Sequence, residues 1–211
     1  MLLMVIISWN VRGIRAKGKI SSIRSLIARE KPWILGLVET KHGLISEGWK
    51  RRVWGNDDVQ WCDVVADGSS GGLICAWDTR KWKIANVKSG NRWILLEGIL
   101  LPFNFDCAVL LLYCFSEVRA RAQLLEEVWS ERQGVHRPIL VMGDYNEVSW
   151  PTERKGGTIE SRSMRFLNEW IDKLCLIDVK PENMEFTWHR SGSLSLLDRF
   201  LIDQEWIDCF P

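Results

Sequence analysis

Four apolar runs of this chain end in groups able to do chemistry. They are Asn10 in Ser8-Trp9-Asn10-Val11-Arg12-Gly13, Glu39 in Val38-Glu39-Thr40-Lys41, Asp144 and Asn146 in Met142-Gly143-Asp144-Tyr145-Asn146, and Asp198 in Leu196-Leu197-Asp198-Arg199-Phe200. An acidic group at the tip of an apolar strand is costly to desolvate unless it binds something. A hard cation such as Mg²⁺ suits the set, because it takes carboxylate and amide oxygens and keeps waters that phosphate oxygens can replace. Each residue alone has a plainer reading, since Asn and Asp also end strands and open turns. Their joint order along the chain is what separates the two readings.

The elements that must position these groups follow from apolar periodicity. Residues 3 to 9 read as a buried strand, and Ile20, Ile23, Leu26 and Ile27 recur at helical spacing between Lys19 and Arg29. Pro32 ends that helix and residues 33 to 38 form a second buried run, so the tips at Asn10 and Glu39 can meet. Short β-compatible runs follow at 61 to 66, 72 to 77, 82 to 88, 92 to 99 and 107 to 113, separated by turn residues. Helices are expected at 117 to 132 and from Ser161 to Lys173, with a strand opened by Pro138 at 139 to 142. Two last strands, near 186 to 189 and 196 to 202, are joined by Ser191-Gly192-Ser193. The pattern predicts an α/β fold: two mixed β-sheets packed face to face with helices outside, a four-layer α/β/β/α sandwich. Without repeats or linkers, residues 1 to 211 read as a single domain.

Composition narrows the functional classes. A net charge of +1 argues for no polyanionic partner by itself, so any nucleic-acid affinity must be local. Lys50, Arg51 and Arg52, between Trp49 and Trp54, are the best local candidate. The competing reading is a solvated helix or loop with its tryptophans turned inward. The six cysteines include no CxxC pair and read as buried free thiols, which fits a reducing cytoplasmic or nuclear setting better than secretion. The apolar start, Met1 to Ile7, is too short to span a bilayer and lacks a cleavage site, and no later run reaches membrane-helix length. A soluble chain without a membrane partner is expected.

The series Trp9-Asn10-Val11-Arg12-Gly13, Glu39-Thr40-Lys41, Ser70-Gly71-Gly72-Leu73, Tyr113, Gly143-Asp144-Tyr145-Asn146, Thr187-Trp188 and Leu197-Asp198-Arg199-Phe200 resembles the endonuclease/exonuclease/phosphatase superfamily over nearly the whole chain. The tract Glu153-Arg154-Lys155-Gly156-Gly157 resembles the corresponding loop of plant LINE-type retroelement endonuclease domains. The resemblance implies a metal-dependent phosphodiesterase that nicks DNA, with Mg²⁺ as its cofactor and Mn²⁺ as the alternative. By the same resemblance Glu39 helped by Asn10 holds the metal, and Asp144 orients or deprotonates the attacking water. Asn146 and Tyr113 donate to phosphate oxygens, and Arg12, Thr187 and Trp188 contact substrate. DNA is then the partner, and a reverse transcriptase would have to be encoded elsewhere.

In that family the counterpart of Asp198 orients a catalytic histidine in a terminal Ser-Asp-His segment. No such segment occurs here, and His42, His136 and His189 read as structural or surface residues. The expectation is a truncated domain, lacking its final strand, whose stability and activity are impaired. Two other functions remain open: a phosphatase of the same superfamily acting on a small phosphorylated molecule, and an inactive retroelement relic that binds nucleic acid. Trp77, Trp93 and Trp170 read as core, while Trp188 reads equally as packing or as part of the site.

Overall fold

The computed structural model describes residues 3–43, 45–68, 70–157, 161–182 and 185–210, with the side chain of Ser161 excepted. The expectations for Met1 and Leu2 therefore lie outside the described residues. The chain divides into two compact units, Met1–Leu111 and Leu112–Pro211. In order, the first contains β1 (Ile6–Asn10), α1 (Lys19–Glu30), β2 (Ile34–Val38), α2 (Glu47–Trp54), β3 (Val59–Val64), β4 (Leu73–Asp78), β5 (Trp82–Ser89) and β6 (Trp93–Leu100). The division falls within β7 (Phe105–Tyr113). There follow α3 (Val118–Arg132), β8 (Ile139–Asp144), β9 (Arg154–Lys155), α4 (Ser161–Lys173), β10 (Ile177–Val179), β11 (Trp188–Arg190), β12 (Ser193–Ser195), β13 (Asp198–Ile202) and α5 (Gln204–Cys209).

The strands form a four-stranded sheet of order β1-β2-β4-β3, a six-stranded sheet of order β10-β13-β8-β7-β6-β5 and a small sheet of order β11-β12-β9. Two large mixed sheets flanked by helices are the architecture the periodicity predicts. In the first unit, Leu35 and Leu37 of β2 and Ile74 and Ala76 of β4 pack with Ile23 and Ile27 of α1 and Val53 and Trp54 of α2. Since strand side chains alternate, Ile34, Val38, Leu73, Cys75 and Trp77 turn to the opposite face. There Trp77 meets Trp82 of β5 edge-to-face, with ring centroids 6.4 Å apart. β2 is buried at every position because both its faces are covered. α1 stops where Lys31 turns left-handed, its N–H bonded to Ile27 O, immediately before Pro32.

In the second unit α3 is capped by the Glu117 carboxylate, which accepts from the N–H groups of Arg119 and Ala120. Its Leu124, Leu125 and Val128 are buried, and Trp170 of α4 donates its indole N–H to Leu125 O at 2.7 Å. The Tyr145 ring lies edge-on to Trp170. Gly143 is imposed by sterics: its φ is +145°, and a Cβ there would sit 1.8 Å from Leu112 O. A glycine within a strand where another backbone approaches this closely cannot be replaced without moving a strand.

The structure corrects two expectations. The strand expected at 196 to 202 is β13, but it does not pair back across the Ser191-Gly192-Ser193 turn: β12 intervenes and pairs with β11 and β9, whereas β13 joins the large sheet beside β8. The break lies at Leu196-Leu197, where the Thr187 hydroxyl accepts from the N–H groups of Leu197 and Asp198 at 3.1 and 3.0 Å. The cysteines are all free but not all buried, because Cys175 and Cys209 are exposed and Cys62 is only partly covered. The basic run 50 to 52 lies on α2, where Lys50 pairs with Glu47 and Asp63, and Arg51 pairs with Asp57.

β13 is held by a buried ion cluster. The Arg199 side chain is fully enclosed and donates to the Glu153 and Asp178 carboxylates, and Lys180 Nζ reaches Glu153 at 2.8 Å. Glu153 also accepts from the N–H of Ser149 at 2.8 Å. Burial alone would raise the Glu153 pKa, but the Arg199 and Lys180 hydrogen bonds win and hold it down at about 2. A depressed carboxylate contributes stability above its unfolded-state value, and that contribution disappears as pH falls through the folded value.

Two outcomes follow for stability. Gly143→Ala should destabilise the protein by at least about 3 kcal/mol in urea unfolding, since it adds backbone strain to a direct clash. Glu153→Gln should cost about 3 kcal/mol at neutral pH by leaving Arg199 underpaired. That deficit should shrink as pH falls from the usual glutamate range towards about 2, where the parent carboxylate is protonated too. A deficit independent of pH would contradict the assignment.

Candidate functional site

The first unit brings Asn10 and Glu39 to neighbouring strand ends. β1 and β2 pair in parallel with Asn10 opposite Val38, one residue before Glu39. The two exit loops stay laced together: Val11 N–H bonds to Val38 O at 3.0 Å, Gly13 N–H to Glu39 O at 2.7 Å and Ile14 N–H to Thr40 O at 3.0 Å. Asn10 Oδ1 accepts from Arg12 N–H at 3.1 Å, which turns the loop, and the Arg12 side chain is exposed. Arg12, Glu39 and Lys41 all adopt left-handed backbone, an uncommon conformation for side-chain-bearing residues that recurs at functional sites. The Glu39 carboxylate is ion-paired to Lys41 Nζ at 2.7 Å and its side chain is 18% exposed.

Gly71 and Gly72 support this loop from below, their carbonyls accepting from the Lys41 and Thr40 N–H groups at 3.0 and 3.1 Å. A Cβ on Gly72 would lie 2.4 Å from Thr40 Oγ1, so Gly72 is a packing requirement of the Glu39 loop, while Gly71 is favoured by its left-handed backbone, φ +79°. Thr40 is fully buried, and its hydroxyl is hydrogen-bonded to His42 Nδ1 at 3.0 Å. Burial lowers the His42 pKa and Arg15 adds to the effect, while Asp63 opposes it.

The second unit gathers Asp144, Asn146 and Asp198. Asp144 and Asp198 are direct cross-strand partners in the antiparallel β8–β13 ladder. Asp144 Oδ1 accepts from Asn146 N–H at 2.9 Å, and Asn146 is left-handed with φ +50°. One Asn146 amide hydrogen goes to Cys114 O at 2.7 Å, and the Cys114 N–H bonds to Asp144 O at 2.8 Å. Tyr113, the last residue of β7 and largely buried, is thereby set beside the Asp144 loop through its neighbour. Trp188 packs on Val148, Met164 and Leu197 while also lining a cavity of about 290 Å³ with Asn146, Arg154 and Leu197. The Thr187 hydroxyl is taken up in fixing the start of β13, which places it as a support for Asp198.

The sequence reading missed Arg121, which is buried on α3. Its guanidinium donates to the carbonyls of Phe115, Ser116 and Asn146, to Glu147 Oε2 at 2.7 Å and to Ser163 Oγ at 2.6 Å. It pins the loop that carries Asn146, and an arginine within an amphipathic helix gives no sequence signal of such a role. His136 and His189 are exposed, the latter on β11 opposite Leu194.

Among the described residues no cluster of three or more His, Cys, Asp or Glu forms a protein-only metal cage. Glu39 with Asn10 offers instead one carboxylate and one amide oxygen, a donor set that fits a hydrated hard cation completing its shell with water and phosphate oxygens. No described helix is long and apolar enough to cross a membrane.

No curated protein sequence matches the chain. Among solved structures, an AP endonuclease from Archaeoglobus fulgidus superposes with a TM-score of 0.77 at 17% identity, over 98% of this chain and 89% of that one. A 3′ phosphatase from Neisseria, bound to product DNA hairpin, gives 0.72 at 17% identity over 98% and 89%. The endonuclease domain of TRAS1, a telomere-specific non-LTR retrotransposon, gives 0.70 at 14% identity over 98% and 88%. At these identities the likeness shows a shared fold. The profile of the Endonuclease/Exonuclease/phosphatase family matches residues 7–210, and the chain belongs to that family.

Proposed function

We propose that this chain is a divalent-metal-dependent phosphodiesterase that nicks DNA, of the kind carried by LINE-type retroelements. The observation that carries the reading is the pairing of Asp144 with Asp198 across β8 and β13, with Asn146 folded back onto Asp144. A structural pair of turn residues has no need of two carboxylates at one ladder position, where like charges oppose each other.

In this reading the Asp144 carboxylate takes the proton of the attacking water. The remaining Asn146 amide hydrogen and the Tyr113 hydroxyl donate to non-bridging phosphate oxygens as charge accumulates on them. Arg12 meets a neighbouring phosphate, and Trp188 presents its ring to the sugar or base beside the Asn146 cavity. Asp198 stands opposite Asp144 as the second carboxylate of the site. Glu39 and Asn10 would hold Mg²⁺, or Mn²⁺, which when bound would polarise a phosphodiester and neutralise charge on its leaving oxygen. Lys41, which pairs with Glu39 at 2.7 Å, would have to give way to that cation.

The retroelement assignment is supported by the Glu153–Gly157 tract and by the TRAS1 domain among the structural neighbours. In that setting the nick leaves a 3′-hydroxyl for a reverse transcriptase encoded elsewhere, and the place of work is nuclear or cytoplasmic. The Neisseria 3′ phosphatase among the neighbours gives the alternative, release of phosphate from a phosphorylated end, a definite chemical form.

Supercoiled plasmid should be nicked with Mg²⁺ and spared with EDTA. Glu39→Ala and Asp144→Ala should each slow nicking by about a hundredfold or more. Phosphate release from a 3′-phosphorylated oligonucleotide without plasmid nicking would instead favour the phosphatase. Nicking that persists in EDTA, or in both variants, would overturn the proposal.

A further inference from the structure

The first unit holds a cavity that the proposed reaction does not use. It measures about 300 Å³ and opens between the chain leaving β1 and helix α2. Ile20, Ile45 and Trp49 give it apolar walls, and Arg15 and Arg52 stand at its edge. Ile20 remains 39% exposed although the helical period of α1 turns it towards the core, because the wall it forms has no protein opposite. The Trp49 ring is braced edge-on by Trp61 at 5.8 Å, so its orientation is set beforehand.

The charges around the cavity are unequal in their commitments. Lys50 and Arg51 are spent on Glu47, Asp63 and Asp57. Arg15 and Arg52 make no ion pair among the described residues, and Arg52 uses only its Nε, on Gly48 O at 3.2 Å. His42 also borders the cavity and is 6% exposed. Its Nδ1 is engaged by Thr40, whereas Nε2 is buried without a partner among the described residues. A buried polar atom left unmatched calls for a group from outside the fold to complete it.

An aromatic and aliphatic wall beside two uncommitted guanidinium groups matches a ligand that is flat and weakly polar at one end and anionic at the other. A free phosphate has no use for the apolar wall, and a purely apolar ligand has no use for the arginines. A nucleotide has both ends, and base stacking on an aromatic ring tolerates any sequence.

We propose that this cavity is a subsite for one unstacked nucleotide of a nucleic-acid strand, its base against Trp49, Ile20 and Ile45 and its phosphates on Arg15 and Arg52. The inference deepens the nuclease reading and rests on it in taking that strand to be the substrate. His42 lies three residues beyond Glu39 and is tied to it through Thr40, so the nucleotide is seated on the loop that carries Glu39.

Binding measured in EDTA separates this claim from catalysis. Fluorescence anisotropy of a short labelled single-stranded oligonucleotide should show affinity about tenfold weaker for the Arg15→Met/Arg52→Met double variant. Trp49→Leu should weaken the same oligonucleotide about tenfold while leaving an oligomer of the bare deoxyribose-phosphate backbone unaffected. Because Trp49 also packs on Trp61, circular dichroism must show the variant folded, and the arginine pair supplies a test that leaves the core intact. Unchanged affinity in the arginine variant overturns the subsite, as does an equal loss on both oligomers in Trp49→Leu. A chain that nicks plasmid yet ignores these substitutions refutes the subsite alone; one that binds through the cavity but never nicks refutes the nuclease reading alone.

Discussion

The cost of taking charge out of water is the constraint around which both units are arranged. Each places ionic groups at the ends of strands that are otherwise apolar, and each has to meet them there. In the second unit Arg199, fully enclosed, is matched by Glu153 and Asp178, and this match ties β13 to β10 and to the turn before β9 while β13 pairs with β8 on its other side. Register is what sets Asp198 opposite Asp144, because slipping a strand by one residue would turn every side chain to the other face. Arg121 repeats the device one loop away, joining α3 to the Asn146–Glu147 turn and to α4.

In the first unit the same problem is solved with backbone. Glu39 sits on a left-handed residue, stitched to the β1 exit loop on one side and to the Gly71-Gly72 turn on the other. Lys41 pairs with it at 2.7 Å, and a lysine is a single-point counter-ion compared with a bidentate arginine. The contrast is functional in form: Arg199 is fully enclosed with its carboxylates, whereas the lysine beside the group proposed to hold a cation is 40% exposed.

Much of this was legible in the sequence, for identifiable reasons. The tips at Asn10 and Glu39 were readable because two apolar runs flank one amphipathic helix, and such a unit pairs its strands in parallel. The Asp144 tip was readable because an acid ends an apolar run, although the need for Gly143 before it, the approach of Leu112 O, is not a sequence property. Arg121 and Arg199 were illegible, since their partners lie 26 and 46 residues away and an arginine in an amphipathic pattern reads as exposed. The short β12 was hidden because Ser193 and Ser195 read as turn residues, and a distant threonine hydroxyl sets where β13 begins. The basic run at 50 to 52 drew notice for its composition, yet only Arg52 remains uncommitted.

The central claim is that Glu39 holds a divalent cation in place of Lys41. Manganese(II) titration followed by electron paramagnetic resonance tests it without any substrate. The account predicts a bound-ion signal in the parent chain that Glu39→Gln removes and that Lys41→Met strengthens, the latter by freeing the carboxylate. Equal binding by all three proteins would place the metal elsewhere and contradict the account.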